Sequence, residues 1–341
     1  MIPSRRQALE NVAPPPAKVA KVLVIKLNAV GEFIQSLAAA KIVRDHHVGA
    51  RITLLTTAPF KDFAEKCPYF DVVEADGRPR EPAAITQLVA RIRAAKYDVV
   101  YDFETSGRTN RYFLALRPWP PLWSGTAQGC SHPYGQEERA ALHPIDRYAA
   151  QLQHAGLPAV DAFGEAQLPD LTWIRRALRD PPRLDPAYFG IKGPYVLMMP
   201  GGSPEHLERR WPEKSYAELA KRIAANGVTP VVIGAVDEKD VGLAVAAAEP
   251  KAKNLVSRTD FFQIAALSER ATLVVGNVTG PMHIAAAAGA PLLVLAARTN
   301  DPDRNAPRGR RGAVLINADH LGDLPALEVD RAMKNLGAYR T

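Results

Sequence analysis

Residues 272–289 read TLVVGNVTGPMHIAAAAG. The stretch opens as a short apolar β run, Leu273-Val274-Val275, turns at Gly276, and restarts as an alanine-rich helix at about Pro281. Proline suits a first helical position: its φ is already helical and the N–H it lacks would be unpaired there. The turn delivers Thr279, Gly280 and the first helical N–H groups to one place. With the positive end of the helix dipole they form a site for an anion such as phosphate.

The same unit of strand, turn and helix repeats on either side. Upstream, Tyr195–Met199 reads as a strand, followed by a loop over 200–212 and a helix from about Glu213 to Asn226 that Gly227 ends. Strands are predicted over 228–233, 254–256, 292–295 and 314–316, and helices over 238–248, 261–270 and 324–336. The first half begins with the apolar run Lys21–Ile25, a loop over 26–31 and a helix from about Glu32 to Asp45. Strands over 51–56, 71–74 and 97–103 alternate with helices over 59–66 and 82–96, the latter carrying Ile85, Leu88, Val89 and Ile92 on one face. Such alternation means a parallel sheet covered by helices.

Residues 117–144 break the rhythm, because Pro118, Pro120 and Pro121 lack donors and restrict their neighbours. The stretch reads as a long loop, with Trp119 and Trp123 either covering a ligand or packing beneath it. A helix over 145–155, a linker over 156–170 and a short helix over 171–178 complete the pass. The fold class is α/β: two Rossmann-like doubly wound domains in series, facing a central cleft at the carboxyl ends of their strands. The expected divisions are a tail over 1–20, domains over 21–170 and 171–323, and a closing helix and tail over 324–341.

A chain of 341 residues suits two domains. It has no run of about 18 apolar residues to span a membrane. Its first 20 residues, with Arg5, Arg6, Glu10 and three consecutive prolines, have no signal-peptide core. Cys67 and Cys130 are the only cysteines, which excludes a disulfide framework or a cysteine zinc site and fits a reducing cytoplasm. The net charge of +7 suits either an ordinary basic surface or anionic partners such as nucleotides, phosphorylated glycolipids or an acidic membrane face. No zinc-finger, KH or RRM signature favours nucleic acid. His46, His47 and His206 have no partners at metal-site spacing, so neither a metal nor another cofactor is expected.

Three loops follow strands and precede helices: Lys26 to Glu32, Pro200-Gly201-Gly202-Ser203 running to Arg209-Arg210-Trp211-Pro212, and Asn277 to His283. Together they resemble those of the heptosyltransferase-like glycosyltransferases, which transfer ADP-activated heptose onto lipopolysaccharide core (glycosyltransferase family 9, GT-B fold). Val30-Gly31-Glu32 matches the family's Leu-Gly-Asp. The second loop matches its Pro-Gly-x-Ser and Lys-x-Trp-Pro, and Gly276 to Ala287 its Gly-Asn-Asp-(Ser/Thr)-Gly-Pro-Met-His-Leu-Ala-Ala-Ala. Thr299 to Arg304 looks like its Pro-Thr-Asp-Pro-x-Arg loop.

The resemblance implies an inverting transfer from a nucleotide-diphospho-sugar, ADP-linked in the family's manner, to a glycolipid or surface glycan, without a metal. It implies an N-terminal acceptor domain, a C-terminal donor domain and peripheral contact with the inner face of the cytoplasmic membrane. Glu32 stands where the family has its base, a role to set beside a simple helix-N-terminus carboxylate. Donor contacts fall on Gly201, Gly202, Ser203, Arg209, Asn277, Thr279, Gly280, Pro281, Met282 and His283, with His283 equally suited to packing. Asn28, Gly31, Asp102 and Glu104 are acceptor-side or substitute candidates. Two motif aspartates of the family are Glu32 and Val278 here, and its lysine is Arg209. Valine accepts no hydrogen bond, so either sugar recognition differs or the chain is a silent nucleotide- or glycan-binding relative. The three loops lend nothing to an epimerase of similar architecture.

Overall fold

The computed structural model describes residues 19–179, 181–202 and 206–339. Contacts divide the chain into two units, Met1–Gln167 and Leu168–Thr341. Most of the tail expected over 1–20, and Ser203 of the second loop, lie outside the described residues.

The first unit runs β1 (Lys21–Ile25), α1 (Val30–His46), β2 (Arg51–Leu55), β3 (Val72–Glu74), α2 (Pro82–Ala95), β4 (Val99–Asp102), α3 (Gly107–Ala115), β5 (Leu122–Gly125), β6 (His132–Pro133) and α4 (Pro144–His154). Its sheet is parallel, in the order β3-β2-β1-β4-β5-β6. Val22 pairs with Ile52 on one side and Val99 on the other. Both flanks of β1 are thus taken, and Val22 to Ile25 are buried, as a strand covered on both faces requires.

The stretch 117–144 is not one loop. After its prolines the chain enters β5, with Leu122 beside Val99 and Trp123 beside Val100. The prolines lie before the strand, where they interrupt no ladder. Trp123 is fully buried, 5.4 Å from the Phe113 ring, so packing is its role. Trp119 is 88% exposed and takes no part in that packing. Helix α3 falls in a stretch that the sequence pattern leaves unassigned. It is polar on most of its length, and a reciprocal cap starts it: Ser106 Oγ accepts from Thr109 N–H, and Thr109 Oγ1 from Ser106 N–H.

The second unit runs β7 (Tyr195–Met199), α5 (Glu213–Ala225), β8 (Thr229–Val232), α6 (Lys239–Ala248), β9 (Lys253–Asn254), α7 (Phe261–Arg270), β10 (Leu273–Asn277), α8 (Gly280–Ala287), β11 (Leu292–Ala297), β12 (Ala313–Ala318) and α9 (Ala326–Asn335). Its parallel sheet has the order β12-β11-β10-β7-β8-β9. Val329 and Met333 of α9 join Val196, Leu219 and Leu273 in this unit's core. Gly276 has no room for a side chain: a Cβ there would collide with the Met199 carbonyl oxygen on β7.

Both sheets share one winding. Successive strands spread to one side of β1, then the chain returns to build outward from its other side; β7 plays the same part in the second sheet. The strand order therefore reverses between β1 and β4, and between β7 and β10, where doubly wound folds bind ligands. Among the described residues, no helix is long and apolar enough to cross a membrane.

Candidate active site

Each switch point is stitched by one polar side chain. In the first unit the stitch is Glu104, just past β4. Its Oε2 accepts from Leu27 N–H at 3.0 Å and Asn28 N–H at 3.2 Å, which ties the loop after β1 to the end of β4. The same oxygen accepts from Lys26 Nζ at 2.9 Å. Lys26 is 1% exposed, and its ammonium also donates to Glu32 Oε2 at 2.8 Å. A buried cation needs such partners, because an unpaired one would be too costly.

Glu32 stands in the first turn of α1, with its side chain 41% exposed. Burial disfavours its ionised form, but Lys26, with Arg147 and Arg139 beyond it, outweighs this and holds the carboxyl below its ordinary value. Burial would likewise lower the Lys26 ammonium; the Glu32 and Glu104 carboxylates reverse that and keep it protonated. The loop reaches α1 through Ala29 at φ 50°, a left-handed value uncommon outside glycine. Asn28 is exposed, and Gly31 half-buried, beside this carboxylate.

Asp102 does not serve as a substitute base. It is fully buried, with Oδ1 accepting from Thr105 N–H at 2.9 Å, so no acceptor hydroxyl reaches it. Burial pushes its carboxyl up to about 6. An acid whose folded value is raised loses stability as pH climbs from its unfolded value through the folded one. Asn keeps the oxygen for Thr105 and carries no charge. Asp102→Asn is therefore expected to be more stable than the parent at pH 8, by about 1–3 kcal/mol, and to lose that advantage at pH 4. Thermal melts at the two pH values check this; an equal advantage at both would contradict it.

In the second unit the stitch is Asn277, the last residue of β10. It is fully buried. Its Nδ2 donates to the carbonyls of Pro200 at 2.8 Å and Gly201 at 3.1 Å. Its Oδ1 accepts from Tyr216 Oη at 3.1 Å and Trp211 N–H at 3.3 Å. Two donors and two acceptor sites are all that an amide has. The expected donor contact by this side chain is therefore corrected: nothing is left for a ligand, and Asn277 fastens the second loop to the third. Met282 is corrected likewise, since it is fully buried. His283 is buried as well, at 8% exposure, which fits packing.

What remains accessible lies around the two turns. Gly202, Thr279, Gly280 and Pro281 are half-buried. Thr279 precedes α8 and makes no side-chain cap, and its hydroxyl lies 3.1 Å from where a Cβ on Gly201 would stand. Trp211 anchors the arginine segment, donating its indole N–H to the Leu324 carbonyl at 2.9 Å. The two arginines part ways. Arg210 donates to the Gly202 carbonyl and lies 3.7 Å from Glu238 Oε1, so it braces the glycine turn. Among the described residues Arg209 has only Glu208 as an ion partner, at 3.6 Å, too far for a hydrogen bond.

Glu238 was not singled out from the sequence. Its carboxylate is 3.5 Å from the position of a Cβ on Gly201, and its Oε2 accepts from Ala235 N–H at 2.8 Å. Burial pushes its carboxyl upward. The signal available was the turn Gly234-Ala235 after β8, three residues ahead of a glutamate that reaches back to cap it.

A family model for glycosyltransferase family 9 (heptosyltransferase) matches residues 132–336. Lipopolysaccharide heptosyltransferase 2 of Escherichia coli (strain K12) is 33% identical over 317 residues, which cover 86% of this chain and 87% of that protein. The solved structure of E. coli ADP-heptose LPS heptosyltransferase II aligns with a TM-score of 0.74 at 21% identity, over 93% of this chain and 98% of that one. E. coli heptosyltransferase WaaC with ADP gives a TM-score of 0.72 at 18% identity, over 93% and 99%. The structural matches speak for the fold, and the GT-B class of two doubly wound units agrees with them.

Proposed function

The chain belongs to glycosyltransferase family 9, the heptosyltransferases, and from that membership we propose that it is an inverting enzyme moving heptose from ADP-heptose to a lipopolysaccharide core acceptor. The observation that carries this reading is the ionised, half-exposed carboxylate of Glu32 at the first switch point. An acceptor hydroxyl attacks the anomeric carbon as the bond from that carbon to the diphosphate oxygen breaks. Glu32 takes the hydroxyl proton, and the electron pair leaves on ADP. Attack opposite the leaving group inverts the anomeric centre.

The second unit is the donor side in this reading. Gly201 and Gly202 let backbone N–H groups approach a diphosphate, and the start of α8 contributes orphan N–H groups and its dipole. Arg209 meets the charge that develops on the leaving group, and Arg210 keeps the glycine turn in place. Arg209→Ala is expected to weaken ADP-heptose binding by about 1.5–3 kcal/mol, as for other hydrogen bonds to charged groups. Arg51→Ala, at the outer end of β2 in the first unit, serves as the control. Equal affinities in titration calorimetry would place Arg209 outside the site. The net charge of +7 supports peripheral contact with an acidic membrane face, where a lipid-borne acceptor is presented.

One observation favours a second reading. Val278, half-buried between Asn277 and Thr279, stands where the family has an aspartate and offers no acceptor to a sugar hydroxyl. In that reading the chain binds nucleotide or glycan without turnover. Transfer measured with the wild-type protein separates the two.

A further inference from the structure

At the first switch point one ammonium serves two carboxylates that are held very differently. Lys26 Nζ is 2.8 Å from Glu32 Oε2 and 2.9 Å from Glu104 Oε2. Glu104 is fixed further by two backbone N–H groups and is 13% exposed. Glu32 has the lysine alone as a hydrogen-bond donor among the described residues, which leaves its Oε1 for a ligand. We propose that Lys26 and Glu104 are positioning residues for Glu32: the lysine fixes one carboxylate oxygen, and Glu104 shares the lysine's charge so that Glu32 stays basic. This rests on the reading of Glu32 as the base.

The charge count gives the reason. With all three groups ionised the cluster sums to −1, and it becomes neutral when Glu32 takes a proton. A lysine paired with Glu32 alone would pass from neutral to +1 on the same step. A buried uncompensated charge is costly, so the proton transfer would be opposed. The other groups facing Glu32 act from outside the pair. Arg139, in the short helix over 136–140, and Arg147 of α4 are cationic. Tyr148 of α4 is buried and protonated, and Asp102 at the end of β4 attracts Arg139.

Two substitutions should pull Glu32 in opposite directions. Lys26→Met removes the cation, so the acid limb of the pH–rate profile moves to higher pH by about one unit or more. Glu104→Gln keeps an oxygen for Leu27 and Asn28 but leaves the lysine's charge to Glu32, so the limb moves to lower pH and the plateau rate falls. Carbon-13 NMR titration of the Glu32 carboxyl in the full-length variants should show the same two displacements without any assay. A purely structural role predicts no displacement, or the same direction in both variants, and either result overturns the proposal. If Lys26→Met does not fold, the downward displacement in Glu104→Gln decides alone. Opposite NMR displacements with a fixed rate limb would mean that Glu32 is not the base. An acid limb that follows Glu32, without opposite displacements, would keep the base and overturn only the roles of Lys26 and Glu104.

Discussion

Glu32→Gln is expected to lower turnover by about 10²–10⁴ while the fold and the donor affinity persist. The amide matches the carboxylate in size and still offers Lys26 an oxygen, but it has negligible basicity. The loss should fall on kcat, since the reading gives Glu32 a part in the chemical step and none in holding the nucleotide. Glu32→Asp should keep a fraction of the activity. It retains the charge and restores the residue usual in the family, but it is one methylene shorter, in a site where the lysine contact is set at 2.8 Å for glutamate. Steady-state rates with ADP-heptose, beside melting curves, check both variants. Full turnover by Glu32→Gln would remove Glu32 from the reaction.

Asn277→Ala is expected to cost roughly 3–4 kcal/mol of stability, because it leaves four buried groups without partners at once. The Pro200 and Gly201 carbonyls, the Trp211 N–H and the Tyr216 hydroxyl all bond to this one amide. The loss should be local in origin: the glycine turn and the arginine segment come loose from β10. Donor binding should weaken at temperatures where the protein is still folded, although the Asn277 side chain touches no ligand. Asn277→Asp is the sharper control, since it keeps two acceptors and replaces the donors to Pro200 and Gly201 with repulsion. Chemical denaturation and calorimetric titration report the two effects. A stability change below 1 kcal/mol would contradict the fastening role.

Much of the fold was legible because local signals agreed. Helix α7 falls on Phe261–Arg270 as expected, and the structure shows why: Asp260 Oδ1 accepts from Gln263 N–H while Gln263 Oε1 accepts from Asp260 N–H. Strand β7 was legible from its apolar run alone. Where such signals were weak, the reading failed. Helix α3 confines its apolar residues to its second half, Tyr112 to Ala115, and its cap pairs Ser106 with a threonine in place of the usual glutamate or glutamine. Strand β5 hides behind three prolines, and only its position beside β4 makes it a strand.

The site divided along the same line. The three loops were visible as turns between strands and helices, but the partners that give their residues meaning are distant in sequence. Lys26 meets Glu104 across 78 residues, and Asn277 meets Pro200 across 77. An asparagine next to a phosphate turn reads as a ligand contact until its four bonds are counted. Two adjacent arginines read alike until one of them is found bracing Gly202.

The central claim is transfer of heptose by this chain, and incubation with ADP-heptose and a heptose-deficient lipopolysaccharide acceptor tests it most directly. Mass spectrometry should find the acceptor heavier by one heptose, with ADP released in equal amount and the new linkage inverted relative to the donor. Binding of ADP-heptose without transfer to any acceptor in a panel of truncated lipopolysaccharide cores would contradict the claim and favour the silent relative to which Val278 points.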